Sequence, residues 1–143
     1  MTIEELIENF ELLGDWEERY AYLIDLGKKL PGLPEADKSE ENRVHGCQAM
    51  VWLKMNPDSA HPERLRIEAD SDAFIVRGLI AVVMILFDDK TSAEILQADG
   101  KSIFSKLGLD QHLSPTRKNG LFSMLERIRA LAAARAVNAA TAA

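Results

Sequence analysis

The sequence is poor in cysteine and has no long apolar run. Cys47 is the only cysteine among 143 residues, so the chain cannot form an internal disulfide, as is typical of a reducing cytoplasm. The most apolar stretch, residues 79–87, ends at Asp88 and falls far short of the roughly 20 residues that a transmembrane helix needs. The N-terminal residues also lack the basic, apolar and small-residue regions of a secretory signal. These absences predict a cytoplasmic protein without a membrane partner.

Positive charge is scarce as well. The chain has 17 lysines and arginines against 23 aspartates and glutamates, which gives a net charge of -6 and an isoelectric point near 5.1. Proteins that bind nucleic acid present a concentrated cationic face to the phosphate backbone. The composition therefore predicts no nucleic-acid partner.

Metal ligands are few and badly spaced. Cys47 and the histidines His45, His61 and His112 match no zinc-binding spacing. A single thiolate cannot hold an iron-sulfur cluster, which generally takes four ligands. The sequence also has no phosphate-cradling loop. We therefore expect neither a bound metal nor a cofactor on this chain.

The sequence also lacks a segment with the composition of an interdomain linker. No stretch is rich enough in Gly, Ser or Pro to divide the chain, and no repeat is visible, so residues 1–143 are predicted to form one domain. The alanine-rich tail from about residue 137 is expected to fray.

What is present is a mixture of helical and strand patterns. Helix-start signals at Thr2, Asp15 and Ser114, each followed by apolar periodicity, predict two short N-terminal helices and a long C-terminal one. Residues 51–55 and 65–69 alternate apolar and polar side chains and predict two antiparallel strands. The predicted class is α+β, with a small antiparallel sheet covered by helices.

Two further predictions concern helix boundaries between the sheet and the last helix. Asp70 or Ser71 is expected to cap a central helix that runs through residues 75–87. Thr91, with Glu94 three residues later, is expected to open a short helix that Gly100 closes.

Cys47 lies in a context typical of a loop. Gly46 can adopt backbone angles closed to other residues, so the chain can turn sharply there and present the next side chain at a tip. His45, two residues before Cys47, would point to the same side in an extended backbone and could pair with the thiol. Because the thiolate is the nucleophilic form of cysteine, Cys47 is a candidate reactive centre. His45 could equally be a plain surface residue.

Cys47 and His45 could serve a hydrolase that uses a Cys-His pair. It would need a third group to orient the histidine, and Asn42, Asp70 or Asp72 could be offered for that role, although no recognisable spacing requires any of them. Asp70 and Asp72 are explained more simply as a helix-start cluster, since negative charge there complements the helix dipole.

Seven short motifs are spread along most of the chain: Asp15-Trp16-Glu17-Glu18-Arg19-Tyr20, Leu26-Gly27-Lys28-Lys29-Leu30-Pro31, Asn42-Arg43-Val44-His45-Gly46-Cys47-Gln48, Val51-Trp52, Ser71-Asp72-Ala73, Arg77-Gly78-Leu79-Ile80-Ala81 and His112-Leu113-Ser114-Pro115-Thr116-Arg117. In these motifs and in their order the chain resembles the SufE/CsdE family of sulfur-acceptor proteins, which act with cysteine desulfurases.

The resemblance implies that Cys47 accepts sulfur from a persulfide on a cysteine desulfurase of the SufS/CsdA type and stimulates that enzyme. It implies delivery of the sulfur to an iron-sulfur scaffold or another carrier, with no independent turnover. Pyridoxal phosphate would then belong to the desulfurase. It further implies a fold similar to the iron-sulfur scaffold (SufE/NifU-like) fold, with Asp72 and Arg117 near the cysteine loop. His45, Gly46 and Gln48 would support that loop or contact the partner.

The sequence leaves an alternative for the function of the protein and an alternative for the residues around the sulfur. A non-covalent module that regulates a desulfurase without using its thiol is the alternative function. Met50, Val51 and Trp52, just after the cysteine, are candidate walls that shield the sulfur, although each is also explained as part of a strand.

Overall fold

The chain folds as an N-terminal helix pair, a three-stranded sheet and further helices in a computed structural model. The structure describes the backbone of residues 1–142 and the side chains of residues 1–136. The fraying predicted from about residue 137 lies outside those described side chains. The elements are α1 (Ile3–Leu12), α2 (Trp16–Lys28), a 3-10 turn (Glu35–Asp37), β1 (Val51–Pro57), β2 (Arg64–Ser71), α3 (Phe74–Phe87), β3 (Lys90–Thr91), α4 (Ser92–Gln97), α5 (Gly100–Lys106), α6 (Leu109–His112) and α7 (Pro115–Ala142).

The helix-start signals act as expected at both N-terminal helices and at α7. The side chain of Thr2 accepts a hydrogen bond from the Glu5 amide at 3.1 Å, and Asp15 accepts one from Glu18 at 2.9 Å. Ser114 accepts one from Arg117 at 3.3 Å, directly before Pro115. Each cap satisfies an amide that the first helical turn leaves unpaired.

The sheet is antiparallel, in the order β1-β2-β3. Val51 lies opposite Ser71 and Pro57 lies opposite Leu65, so the apolar residues of both strands share the buried face. The third strand was not predicted, because its two residues are too few to show an alternating pattern. The α+β prediction is confirmed.

Two predicted helix boundaries are wrong. Neither Asp70 nor Ser71 caps α3, because β2 continues through Ser71, which pairs with Val51; Ala73 occupies the cap position without a side-chain bond. Gly100 does not close α4, which ends at Gln97, but begins α5. A Cβ on Gly100 would lie 2.8 Å from Leu125, so close packing against α7 explains this glycine.

Helices α2 and α3 cross at a contact between two glycines. A Cβ on Gly27 would lie 2.6 Å from the backbone nitrogen of Gly78, and a Cβ on Gly78 would collide with the carbonyl group of Leu23. The two backbones can therefore approach only because both side chains are missing. This contact fixes α3, whose first turn borders the cysteine loop.

The apolar core lies between the buried face of the sheet and helices α3 and α7, which also contact each other. Leu79, Val83 and Phe87 of α3 and Leu121, Met124 and Ile128 of α7 are almost fully buried. One edge of this core, where α3 and α7 begin, borders the loop that carries Cys47.

Candidate functional site

The loop that carries Cys47 is tied to β1 at its base. Leu53 donates a backbone hydrogen bond to Asn42 and Val44 donates one to Val51, each at 2.8 Å, so the chain before the cysteine runs back alongside the strand. Gly46 has a φ angle of 91°, in the region that favours glycine. The sharp turn predicted at Gly46 is present, and Cys47 lies at the tip of the loop.

Cys47 lies at the mouth of an apolar cavity of about 250 Å³. Its side chain is half-buried, and its sulfur lies 3.6 Å from the carbonyl oxygen of Gly120, to which the thiol donates. The walls come from α3 and α7, and the apolar side chains among them are Ile75, Val76, Leu79, Leu121 and Met124. The thiol thus faces a sheltered apolar space from the tip of a loop.

The predicted cavity walls are therefore wrong. Met50, Val51 and Trp52 do not line the cavity. Val51 is fully buried in the core below the sheet, and the ring of Trp52 lies 5.5 Å from the amine of Lys38. Because side chains alternate along β1, Val51 and Trp52 point to opposite faces of the sheet, and neither lines the cavity.

The environment of Cys47 favours the protonated thiol. Burial raises the pKa of Cys47, because a thiolate loses hydration in the apolar surroundings, and the positive charge of Arg43 opposes this only in part. Since the thiolate is the reactive form, the resting site holds the sulfur in its less reactive state.

His45 does not pair with Cys47. Its Nε2 atom lies 2.8 Å from a carboxylate oxygen of Glu40, and its side chain is largely exposed. The thiol donates to Gly120 instead. The Cys-His prediction is therefore wrong, and the base that a hydrolase would require is not next to the sulfur.

The remaining residues singled out in the sequence lie around the loop. Asp72 exchanges two hydrogen bonds with Met50, where the loop joins β1. Gln48 and Arg117 are exposed and line the cavity from the loop and from α7, respectively. Residues that are distant in sequence thus meet at one surface, with Cys47 between them.

The other two histidines lie in separate environments. His61 is 3.9 Å from Glu63, and the ring of His112 stacks on Trp16 with 4.1 Å between centroids. Among residues 1–136, no three side chains of metal-binding type come together. Within the described part of the chain, no helix has the length and apolarity to cross a bilayer.

Besides the cavity walls, two residues that contact the tip of the loop were not predicted from the sequence. Gly120 accepts the thiol hydrogen bond, and the Oγ atom of Ser123 lies below Gly46. The available signal was Gly120 itself, because a glycine inside a long predicted helix usually has a packing reason.

A model of the SufE family, described as an Fe-S metabolism associated domain, matches residues 4–132. The chain belongs to the SufE family. Its family assigns it a role in iron-sulfur metabolism, and the family resemblance inferred from the motifs is confirmed.

Relatives at high identity carry the same family name. An uncharacterised SufE-like protein of Rhizobium meliloti is 44% identical over 135 residues, which cover 94% of this chain and 96% of the relative. Another from Rhizobium etli is 47% identical over 137 residues, covering 94% and 92%. The solution structure of a hypothetical protein from Thermus thermophilus shares the fold, with a TM-score of 0.73 and 21% identity over 92% of this chain and 96% of that one.

Proposed function

We propose that this SufE-family protein is a covalent sulfur carrier. Cys47 would accept sulfur from a cysteine desulfurase of the SufS/CsdA type and hand it to an iron-sulfur scaffold or a further carrier in the cytoplasm. The observation that carries the proposal is the placement of the only thiol: it lies at a loop tip, against an apolar cavity large enough for an added sulfur atom.

The transfer step needs one nucleophile. The Cys47 thiolate attacks the terminal sulfur of the persulfide on the desulfurase, a new sulfur-sulfur bond forms, and the original one breaks. The cysteine thiolate of the desulfurase leaves and takes up a proton. Cys47 then carries a persulfide, and attack by an acceptor thiolate on its terminal sulfur regenerates the Cys47 thiol. No change in total oxidation level is required.

The resting geometry supports separate states for storage and transfer. At the mouth of the cavity the thiol is protonated and half-buried, and an outward movement of the loop would expose the sulfur and favour its attack on a partner. After loading, the same cavity would shield the persulfide from stray thiols and oxidants. Pyridoxal phosphate, which generates the persulfide, belongs to the desulfurase in this scheme, and the carrier has no turnover of its own.

The test compares stimulation of a desulfurase by the wild-type protein and by Cys47→Ser. Serine preserves the shape of the side chain but cannot accept sulfane sulfur. We expect wild type to raise the rate of alanine formation from cysteine and the variant to lose that effect. Equal stimulation by both proteins would contradict the carrier and favour the non-covalent regulatory module.

A further inference from the structure

The tip of the Cys47 loop rests directly on α7. Gly46 lies over Ser123, and Cys47 lies over Gly120. Positions three residues apart on a helix share a face, so these contacts form one surface, which we call the α7 seat, made of Gly120 and Ser123. The 3.6 Å contact from the Cys47 sulfur to the Gly120 carbonyl oxygen belongs to the same surface.

Gly120 lies inside α7, where the intrinsic preference for helix would favour alanine over glycine. Glycine is less favourable than alanine inside a helix. A Cβ at this position would lie 3.3 Å from the sulfur of Cys47, 3.7 Å from its Cβ and 3.9 Å from its Cα. The contact to the sulfur is the tight one, whereas those to Cβ and Cα are of ordinary van der Waals length. A methyl group here would therefore press on the Cys47 sulfur and displace it from its place on α7.

The second contact of the α7 seat also depends on a missing side chain. A Cβ on Gly46 would lie 2.6 Å from the Oγ atom of Ser123, which is too close for a stable contact. The φ angle of 91° at Gly46 adds a conformational preference for glycine. The loop tip therefore approaches α7 most closely at two positions that lack side chains, residues 46 and 120.

We propose that Gly120 is a positioning residue: its bare backbone lets the Cys47 loop sit inward on α7 and so controls how readily the sulfur leaves the cavity. The inference deepens the sulfur-carrier proposal and rests on it for its biological role. The seat itself can be tested without any partner, so the two proposals fail separately.

Few charged groups face the thiol among the described residues. Arg43 lies on the loop, Arg117 lines the cavity from α7, and α3 contributes only apolar walls. Substituting Gly120 or Gly46 by alanine changes none of these charges. A shift in the titration of Cys47 in such variants therefore reports the position of the loop.

The experiment measures the rate of Cys47 alkylation by iodoacetamide across a range of pH. Gly120→Ala and Gly120→Val are compared with wild type, and Asn119→Ala is the control, because Asn119 is exposed on α7 and does not line the cavity. We expect the rate at neutral pH to rise about 3-fold to 10-fold, more for valine, with a lower pH midpoint, because the displaced thiol regains hydration. Asn119→Ala should react like wild type.

Gly46→Ala provides a second route to the same displacement. Its added methyl group meets Ser123 and its φ angle disfavours alanine, so it should also speed alkylation. Adding Ser123→Ala removes only the contact with the Oγ atom, so it should slow the reaction in part. The proposal is overturned if folded Gly120→Ala keeps the wild-type rate and pH midpoint.

Discussion

Asp72 and Met50 are joined by two hydrogen bonds. The Asp72 carboxylate accepts from the Met50 amide at 3.1 Å, and the Asp72 amide donates to the Met50 carbonyl at 3.3 Å. The pairing ties the end of the cysteine loop to the corner between β2 and α3. It leaves the tip around Gly46 and Cys47 as the part that rests on α7.

Asp72→Ala should loosen the loop without unfolding the protein. It removes the acceptor for the Met50 amide, and because Asp72 is exposed, water replaces the bond and the free energy of unfolding falls by only about 0.5–1 kcal/mol. Alkylation of Cys47 should become faster. Asp72→Asn, which keeps an acceptor oxygen, is the control and should stay near wild type. Alkylation of Asp72→Asn as fast as that of Asp72→Ala would contradict the role of this bond.

Asp70 should matter far more for stability than its position on the outer face of β2 suggests. Its buried carboxylate accepts from the amides of Leu33 and Ser71 and lies 3.4 Å from Arg77. Asp70→Ala leaves the Leu33 and Ser71 amides without this acceptor and removes the carboxylate beside Arg77, which keeps only its bond to the Leu30 carbonyl. Urea denaturation should therefore show a loss of about 2–4 kcal/mol.

Glu68 provides the matched control for Asp70. It lies two residues earlier on the same face of β2, is half-exposed, and contacts Lys54 at 3.7 Å. Glu68→Ala should change the free energy of unfolding by less than about 0.5 kcal/mol. Similar losses in both variants would contradict the buried network around Asp70.

The glycine contact between α2 and α3 predicts an unusual glycine-to-alanine effect. Alanine normally stabilises a helix by about 1 kcal/mol relative to glycine. Gly78→Ala should instead lower the free energy of unfolding by about 1–3 kcal/mol, because its methyl group meets the backbone of Leu23. Gly14→Ala is the control, because the nearest atom to its new Cβ would be a Glu18 carboxylate oxygen at 3.8 Å. The melting temperature of Gly14→Ala in thermal denaturation should stay close to that of wild type.

The buried thiol should make stability depend on alkaline pH. Burial raises the pKa of Cys47 in the folded protein above the ordinary value that it has in the unfolded chain. At pH values below that ordinary pKa the thiol is protonated in both states, and its full contribution to the free energy of unfolding is present. As pH rises through that range the unfolded chain ionises first, and the contribution is lost once the pH passes the raised folded pKa. Wild type should therefore lose stability relative to Cys47→Ala on going from neutral to alkaline pH. A constant difference would contradict the shift.

The sequence predicted what depends on local pattern. The caps at Thr2 and Asp15 and the alternation of β1 and β2 follow from contacts within a few residues, and the loop position of Cys47 follows from Gly46 and its polar surroundings. These features do not depend on how distant segments pack.

The sequence could not predict what depends on packing between distant segments. The thiol partner, Gly120, is 73 residues away from Cys47, and the cavity walls lie on α3 and α7 instead of the adjacent strand. His45 contacts the carboxylate of Glu40 instead of the thiol. The spacing between His45 and Cys47 in the sequence does not reveal this competing partner. Local sequence alone made Asp70 a candidate helix cap. Its actual partner, Arg77, comes close to the carboxylate only when the chain folds.

The most direct test of the sulfur carrier is the mass of the intact protein after incubation with a cysteine desulfurase and cysteine. We expect the mass to rise by one sulfur atom, fragmentation to place that sulfur on Cys47, and a reducing thiol to remove it. Cys47→Ser should gain none. Failure of folded wild-type protein to gain sulfur from a desulfurase that is turning over, or sulfur added at a residue other than Cys47, would contradict the account.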